Sequence, residues 1–242
     1  MIESFMTESG IEVPAVSGDQ MREVEKIALQ ETGPTLFQMM ENAGRTAAQF
    51  SLDVLKWQGL SAKVLVMIGG GGSSGGGLCA ARHLANRGLN VDVCLIEPEK
   101  FNESLAYQRK MLPSTQAKEI SASSIAGKFY DLIIDALWGY TMETAPTGET
   151  VTAIRSANDS KAPILCMDVP SGLNATTGDT PGESTRPRWT ITMALPKTGL
   201  FPEKTGTLFL ADIGIPPKAF HKLGLSYTNP FGGSFWIPLN KR

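Results

Sequence analysis

Six short, largely apolar runs, at residues 64–68, 91–96, 130–137, 164–169, 189–195 and 207–215, constrain the fold of this chain more than any other feature. They are rich in β-branched residues and read as strands. Amphipathic helical segments at 78–87, 102–112 and 149–158 separate the first four, with Gly88 and Pro113 as stops. Apolar strands that alternate with helices are buried on both faces, which means a parallel sheet joined by right-handed crossovers. The last two runs have no long helix between them and are expected to extend the same sheet.

A helical preface precedes the first strand. Ser17 with Gln20 makes a capping box, after which Met21, Val24, Ile27 and Ala28 fall on one face. A second helix is expected to begin near Thr35, after Pro34, with Phe37, Met40, Ala43, Ala47, Phe50 and Val54 on its buried side. The chain of 242 residues then divides into a flexible N-terminus (1–16), one Rossmann-like domain (17–225) and a C-terminal tail (226–242).

Composition narrows the function. Lys and Arg number 22 against 24 acids, so there is no electrostatic footprint for nucleic acid or an anionic membrane. No apolar stretch approaches the ~18 residues of a membrane span. Cys79, Cys94 and Cys166 read as reduced, packed thiols, which fits a cytoplasmic protein. His83 and His221 lie far apart without a CxxC pair, which argues against zinc and makes both structural or surface residues.

Ligands of open α/β sheets bind beyond the carboxyl ends of the strands. The first such loop, residues 69–77, holds seven glycines in nine positions. Backbone N–H groups there can approach an anion closely, and the helix N-terminus favours negative charge. Gly70, Gly72 and Gly75 satisfy GxGxxG, with Glu97 about where a ribose-binding acid would sit; a tight strand-to-helix turn is the alternative. The second and third loops begin with Asp135 and Asp168, acids that end apolar strands and converge at one rim, either on a ligand or cation or as loop caps. Ser171 lies three residues beyond the second acid. Lys197 follows the next strand, as a site cation or a solvated charge.

In order, these segments resemble the YjeF N-terminal domain family, which includes NAD(P)HX epimerase and the apolipoprotein A-I binding protein. The resemblance rests on Met40-Glu41-Asn42-Ala43-Gly44, on Leu78-Cys79-Ala80-Ala81-Arg82-His83-Leu84 after the glycine loop, on Asp135-Ala136-Leu137-Trp138-Gly139 and on Asp168-Val169-Pro170-Ser171-Gly172-Leu173. It continues through Pro196-Lys197-Thr198-Gly199-Leu200 and Ala211-Asp212-Ile213-Gly214-Ile215-Pro216.

It implies a Rossmann-like three-layer α/β/α sandwich with a mostly parallel central sheet, a homodimer, a bound potassium ion, and interconversion of the C6 epimers of hydrated NADH or NADPH. Position by position, it implies cation ligands at Ser73, Asp135 and Ser171. Asp168 becomes the catalytic acid or base at the hydrated nicotinamide, assisting loss and return of the C6 hydroxyl. Cofactor contacts fall on Gly72, Ser73, Ser74, Gly75 and Gly76, on Gly139, Tyr140, Thr141, Met142, Glu143, Thr144 and Ala145, and on Lys197. Two stretches depart from the family: Gly72-Ser73-Ser74-Gly75-Gly76-Gly77 stands for Asn-Asn-Gly-Gly-Asp-Gly, and Gly139-Tyr140-Thr141 for Gly-Thr-Gly. A member that binds a dinucleotide-like ligand or a protein partner without turnover is the alternative.

Overall fold

The computed structural model describes residues 1–56 and 61–241. Two short strands, β1 (Ser4–Thr7) and β2 (Glu12–Pro14), open the chain. Helix α1 (Gly18–Ile27) starts at the foreseen capping box: the Gln20 N–H donates to Ser17 Oγ at 3.1 Å, and the Ser17 N–H to Gln20 Oε1 at 2.8 Å. Helix α2 (Leu36–Val54) begins with a second such box at Thr35 and Gln38. The parallel core then follows as β3 (Lys63–Ile68), α3 (Ser74–Ala85), β4 (Asn90–Leu95), α4 (Glu103–Arg109), β5 (Lys118–Ile120), β6 (Leu132–Ala136), α5 (Gly148–Asp159), β7 (Ile164–Met167) and β8 (Trp189–Met193). A one-turn α6 (Pro202–Thr205), β9 (Thr207–Ala211), α7 (Pro217–Lys222) and β10 (Trp236–Lys241) complete it.

All ten strands form one sheet, in the order β2-β1-β10-β9-β8-β7-β6-β3-β4-β5. Pairing is parallel from β9 to β5 and antiparallel at β10, β1 and β2. Along β3, Val64, Val66 and Ile68 enter the core beneath α1 to α4, while Leu65 and Met67 enter the core beneath α5. This alternation makes the three layers and explains why the strand reads as a continuous apolar run. From β3 the chain moves outward to β4 and β5, and from β6 it moves the other way. The loops after β3 and β6 therefore diverge at a switch point, where open α/β sheets bind ligands.

The structure corrects several expectations. The first sixteen residues are not a flexible segment: Phe5 and Val13 are buried, and β1 pairs with β10. Strands of four and three residues are too short for a period-two pattern to be read. Nor is 226–242 a loose tail, because β10 sits between β9 and β1; Pro238 inside the strand concealed it. Arg242, the last residue of that range, lies outside the described residues, as do 57–60. Helix α3 starts at Ser74, four residues before the predicted 78, so Gly75, Gly76 and Gly77 form its first turn. Phe37 is exposed and stacks edge-on against Tyr107 at 5.0 Å. The three thiols are buried and unpaired, and burial pushes Cys79 and Cys94 up to about 12, so they serve as packing groups.

Candidate active site

The strands β7 and β8 both end in a strained turn. Asp168 has φ 72°, and the Val169 N–H closes over it onto the Met167 carbonyl at 3.0 Å. Ala194 has φ 61°, and the Leu195 N–H closes onto the Met193 carbonyl at 2.7 Å. Each is a three-residue γ-turn around a left-handed non-glycine residue, a conformation that costs roughly 1 to 3 kcal/mol and concentrates at functional sites. No run of apolar residues signals such a turn.

Between these turns lies a buried ion pair. Asp168 Oδ1 accepts from Lys197 Nζ, from the Met193 N–H at 3.0 Å and from the Thr192 hydroxyl at 3.2 Å. Its Oδ2 accepts from the Tyr140 N–H at 3.1 Å. Lys197 also donates to the Met193 carbonyl at 3.0 Å and stands 5.5 Å from the centre of the Tyr140 ring. With exposures of 4% and 0%, Asp168 and Lys197 are both withdrawn from water, so Lys197 is not a solvated charge. The close approach of Tyr140 depends on Gly139 at φ 66°, where a Cβ would lie 3.2 Å from Asp168 Oδ2.

The other rim acid, Asp135, is fully occupied. Its oxygens accept from Ser171 Oγ at 2.7 Å, the Ser171 N–H at 2.9 Å, Thr185 Oγ1 at 2.6 Å, the Leu137 N–H at 3.3 Å and the Cys166 thiol at 3.3 Å. An alkali cation needs free oxygen lone pairs, and this carboxylate instead holds the loop after β7 in place. Ser73, the third residue expected at a cation, packs beside Gly139 and Asp168. Its buried hydroxyl has no partner among the described residues. Of the three residues expected at a potassium ion, Asp135 has no lone pair left to offer it in this arrangement.

Glu25, on α1, faces Asp168 across a small cavity. Met21 and Glu25 are one turn apart, so the acid sits at the edge of the buried face of α1, a signal already present in the sequence. Tyr140 donates its phenol proton to Glu25 Oε2 at 2.7 Å while its N–H serves Asp168. Burial first, and then the Asp168 charge, hold the Glu25 carboxyl above its ordinary value, opposed by the Tyr140 hydrogen bond and the charge of Lys197.

The cavity, about 50 Å³, is lined by Glu25, Gly72, Ser73, Gly76, Tyr140 and Asp168 together with apolar residues including Met39, Met40 and Met167. Tyr140 also borders a cleft of about 370 Å³ with Arg22, Met142, Glu143 and residues 174–177. Met142 and Glu143 also border a separate cleft of about 270 Å³ with Glu97, Trp138, Thr141, Thr144 and Ala145. Two predicted contacts lie elsewhere. Ser74 is buried and donates to the Ala136 and Leu137 carbonyls, each at 2.9 Å, and Gly75 packs on Met40. Gly71 lies so close to Trp138 that a Cβ would stand 2.2 Å from its carbonyl oxygen, so part of the glycine tract serves backbone packing.

A doubly wound sheet with a buried carboxylate–ammonium pair below a rim cavity defines an α/β fold of the class that takes small-molecule ligands at its switch point. The sequence pattern of the family described as YjeF-related protein N-terminus matches residues 36–199, and the chain belongs to this family. It is 42% identical to a protein of Dehalogenimonas lykanthroporepellens named NAD(P)H-hydrate epimerase, over 97% of this chain and 96% of that protein. It is 29% identical to Enhancer of mRNA-decapping protein 3 of Gallus gallus, over 98% of this chain and 47% of that protein. The crystal structure of yeast ynu0, YNL200c, superposes with a TM-score of 0.81 at 22% identity, covering 93% of this chain and all of that one, and shares the fold.

Proposed function

We propose that the chain is an NAD(P)H-hydrate epimerase that interconverts the two C6 epimers of hydrated NADH and NADPH. The observation that carries this reading is the buried Asp168–Lys197 pair at the floor of a rim cavity, in a chain alike over nearly its full length to a named epimerase. Epimerisation needs loss of the C6 hydroxyl as water and return of water to the other face. The ring nitrogen stabilises the cation in between, so proton handling at one oxygen is the work left to the protein. The C6 edge of the ring enters between Asp168 and Glu25, and the clefts bordered by Tyr140, Met142 and Glu143 receive the rest of the dinucleotide.

Asp168 receives or returns the proton at the C6 oxygen, and Lys197 fixes the orientation of its carboxylate. Potassium has no step in this account, because the Asp135 carboxylate already accepts five hydrogen bonds. The assembly of two copies and a cytoplasmic location belong to the proposal; no helix among the described residues is long and apolar enough to cross a membrane. The likeness to the decapping enhancer favours a second reading, in which the domain holds a partner without turnover. The test is chromatography of a single hydrated NADH epimer with the wild-type protein. Equilibration well above the uncatalysed rate supports the epimerase, and a folded protein with no acceleration moves the assignment to the second reading.

A further inference from the structure

We propose that Glu25 is a second catalytic acid–base group of this site, acting on the C6 oxygen from the α1 side while Asp168 acts from the end of β7. The inference rests on the epimerase reading and deepens it. Three observations carry it. Glu25 and Asp168 line the same cavity from different elements, one on a helix and one at a strand end. Tyr140 joins them, with its N–H on one carboxylate and its phenol on the other. The two environments also differ in kind: Asp168 is ion-paired with Lys197, whereas Glu25 is hydrogen-bonded by a neutral phenol and has no ion-pair partner within 4.0 Å among the described residues.

Two carboxyls placed in unlike surroundings divide into an acid and a base. The charged and titratable groups around Glu25 are Arg22 on its own helix, Tyr140 after β6, Asp168 after β7 and Lys197 after β8. Their balance, with burial foremost, favours the protonated carboxyl and suits Glu25 to the acid role.

The step balances as follows. Glu25 gives its proton to the C6 hydroxyl, the C6–O bond breaks, and water departs while the lone pair of N1 forms the N1–C6 double bond. A water then adds to C6 from the opposite face, the double-bond pair returns to N1, and Asp168 takes the proton that this water releases. Exchange with solvent returns a proton to Glu25 and removes one from Asp168. In the reverse direction the two residues trade roles.

The experiment compares wild type, Glu25→Gln and Tyr140→Phe in epimer interconversion across pH, with calorimetric titration of hydrated NADH on each. Gln keeps the carbonyl that accepts from Tyr140 and removes the transferable proton. Glu25→Gln is expected to lose roughly a hundredfold or more in rate with binding unchanged, and to lack the alkaline fall of the wild-type profile. Tyr140→Phe removes the hydrogen bond that favours ionised Glu25 and is expected to move that alkaline limb to higher pH. This second readout stands even if Glu25→Gln folds poorly. Wild-type activity with an unaltered rate in folded Glu25→Gln, or an alkaline limb unmoved in Tyr140→Phe, overturns the role of Glu25 and leaves the epimerase reading intact. A wild type without epimerase activity overturns both.

Discussion

Val16 and Lys197 are joined by their backbones: the Val16 N–H donates to the Pro196 carbonyl at 2.9 Å, and the Thr198 N–H donates to the Val16 carbonyl at 3.0 Å. The segment before α1 thus clamps the loop that carries the site lysine. Ile2 adds to the clamp through its N–H on the Thr198 carbonyl at 2.8 Å. Residues 1–16, which carry no readable pattern, are part of the machinery that places the ion pair.

The N-terminal strands should therefore matter for stability. Phe5 is buried at 1% exposure, and Phe5→Ala is expected to lower the unfolding free energy by about 3 to 5 kcal/mol, measured by denaturant titration. A change below ~1 kcal/mol would mean that β1 is not packed as described.

Lys197 and Asp168 should behave as a coupled pair. Lys197→Met leaves the Asp168 carboxylate buried without its cation and is expected to cost about 3 to 5 kcal/mol. The double variant Asp168→Asn/Lys197→Met removes both charges and is expected to regain much of that loss while remaining inactive. Additive losses in the double-mutant cycle would count against a direct pair.

Much of the fold was legible because β3, β6 and β7 are buried on both faces and carry almost unbroken apolar runs. The rim acids were legible for the same reason: Asp135 and Asp168 end such runs. The partners of those acids were not. Thr185 reaches Asp135 from 50 positions away in sequence, and Thr192 lies inside a strand, where its hydroxyl reads only as β-propensity. The extent of α3 was hidden because glycine carries no helical signal. Gly75, Gly76 and Gly77 are nonetheless helical, since packing against α2 and β6 outweighs their low propensity.

Ser73 offers a test of ligand contact. Its buried hydroxyl has no hydrogen bond to lose, so Ser73→Ala is expected to leave the melting temperature unchanged or slightly raised. If the hydroxyl binds the substrate, affinity for hydrated NADH falls by roughly fivefold, the equivalent of about 1 kcal/mol, in calorimetric titration. Unchanged affinity would place the substrate away from α3.

Potassium should be dispensable. With Asp135 saturated by donors, exchanging potassium for tetramethylammonium at constant ionic strength is expected to leave the epimerisation rate unaltered. Abolition of activity, restored by potassium, would require these donors to turn away from Asp135.

Stability and function should oppose each other at Glu25. Its folded carboxyl titrates above the ordinary value of 4.5, so its contribution to stability is fully present below that pH and is lost as pH rises through the folded value. Glu25→Gln escapes this loss. Its melting temperature relative to wild type is expected to rise between pH 4 and pH 8, followed by thermal denaturation; a constant or falling difference would contradict the burial of the charge.

The central claim is that Asp168 carries proton transfer at C6. The decisive measurement is the rate at which a single hydrated NADH epimer equilibrates with Asp168→Asn, at a temperature where circular dichroism finds the variant folded despite its unpaired Lys197. A loss of about a hundredfold or more relative to wild type, with hydrated NADH still bound, is the predicted result. A folded Asp168→Asn protein working at the wild-type rate would contradict it.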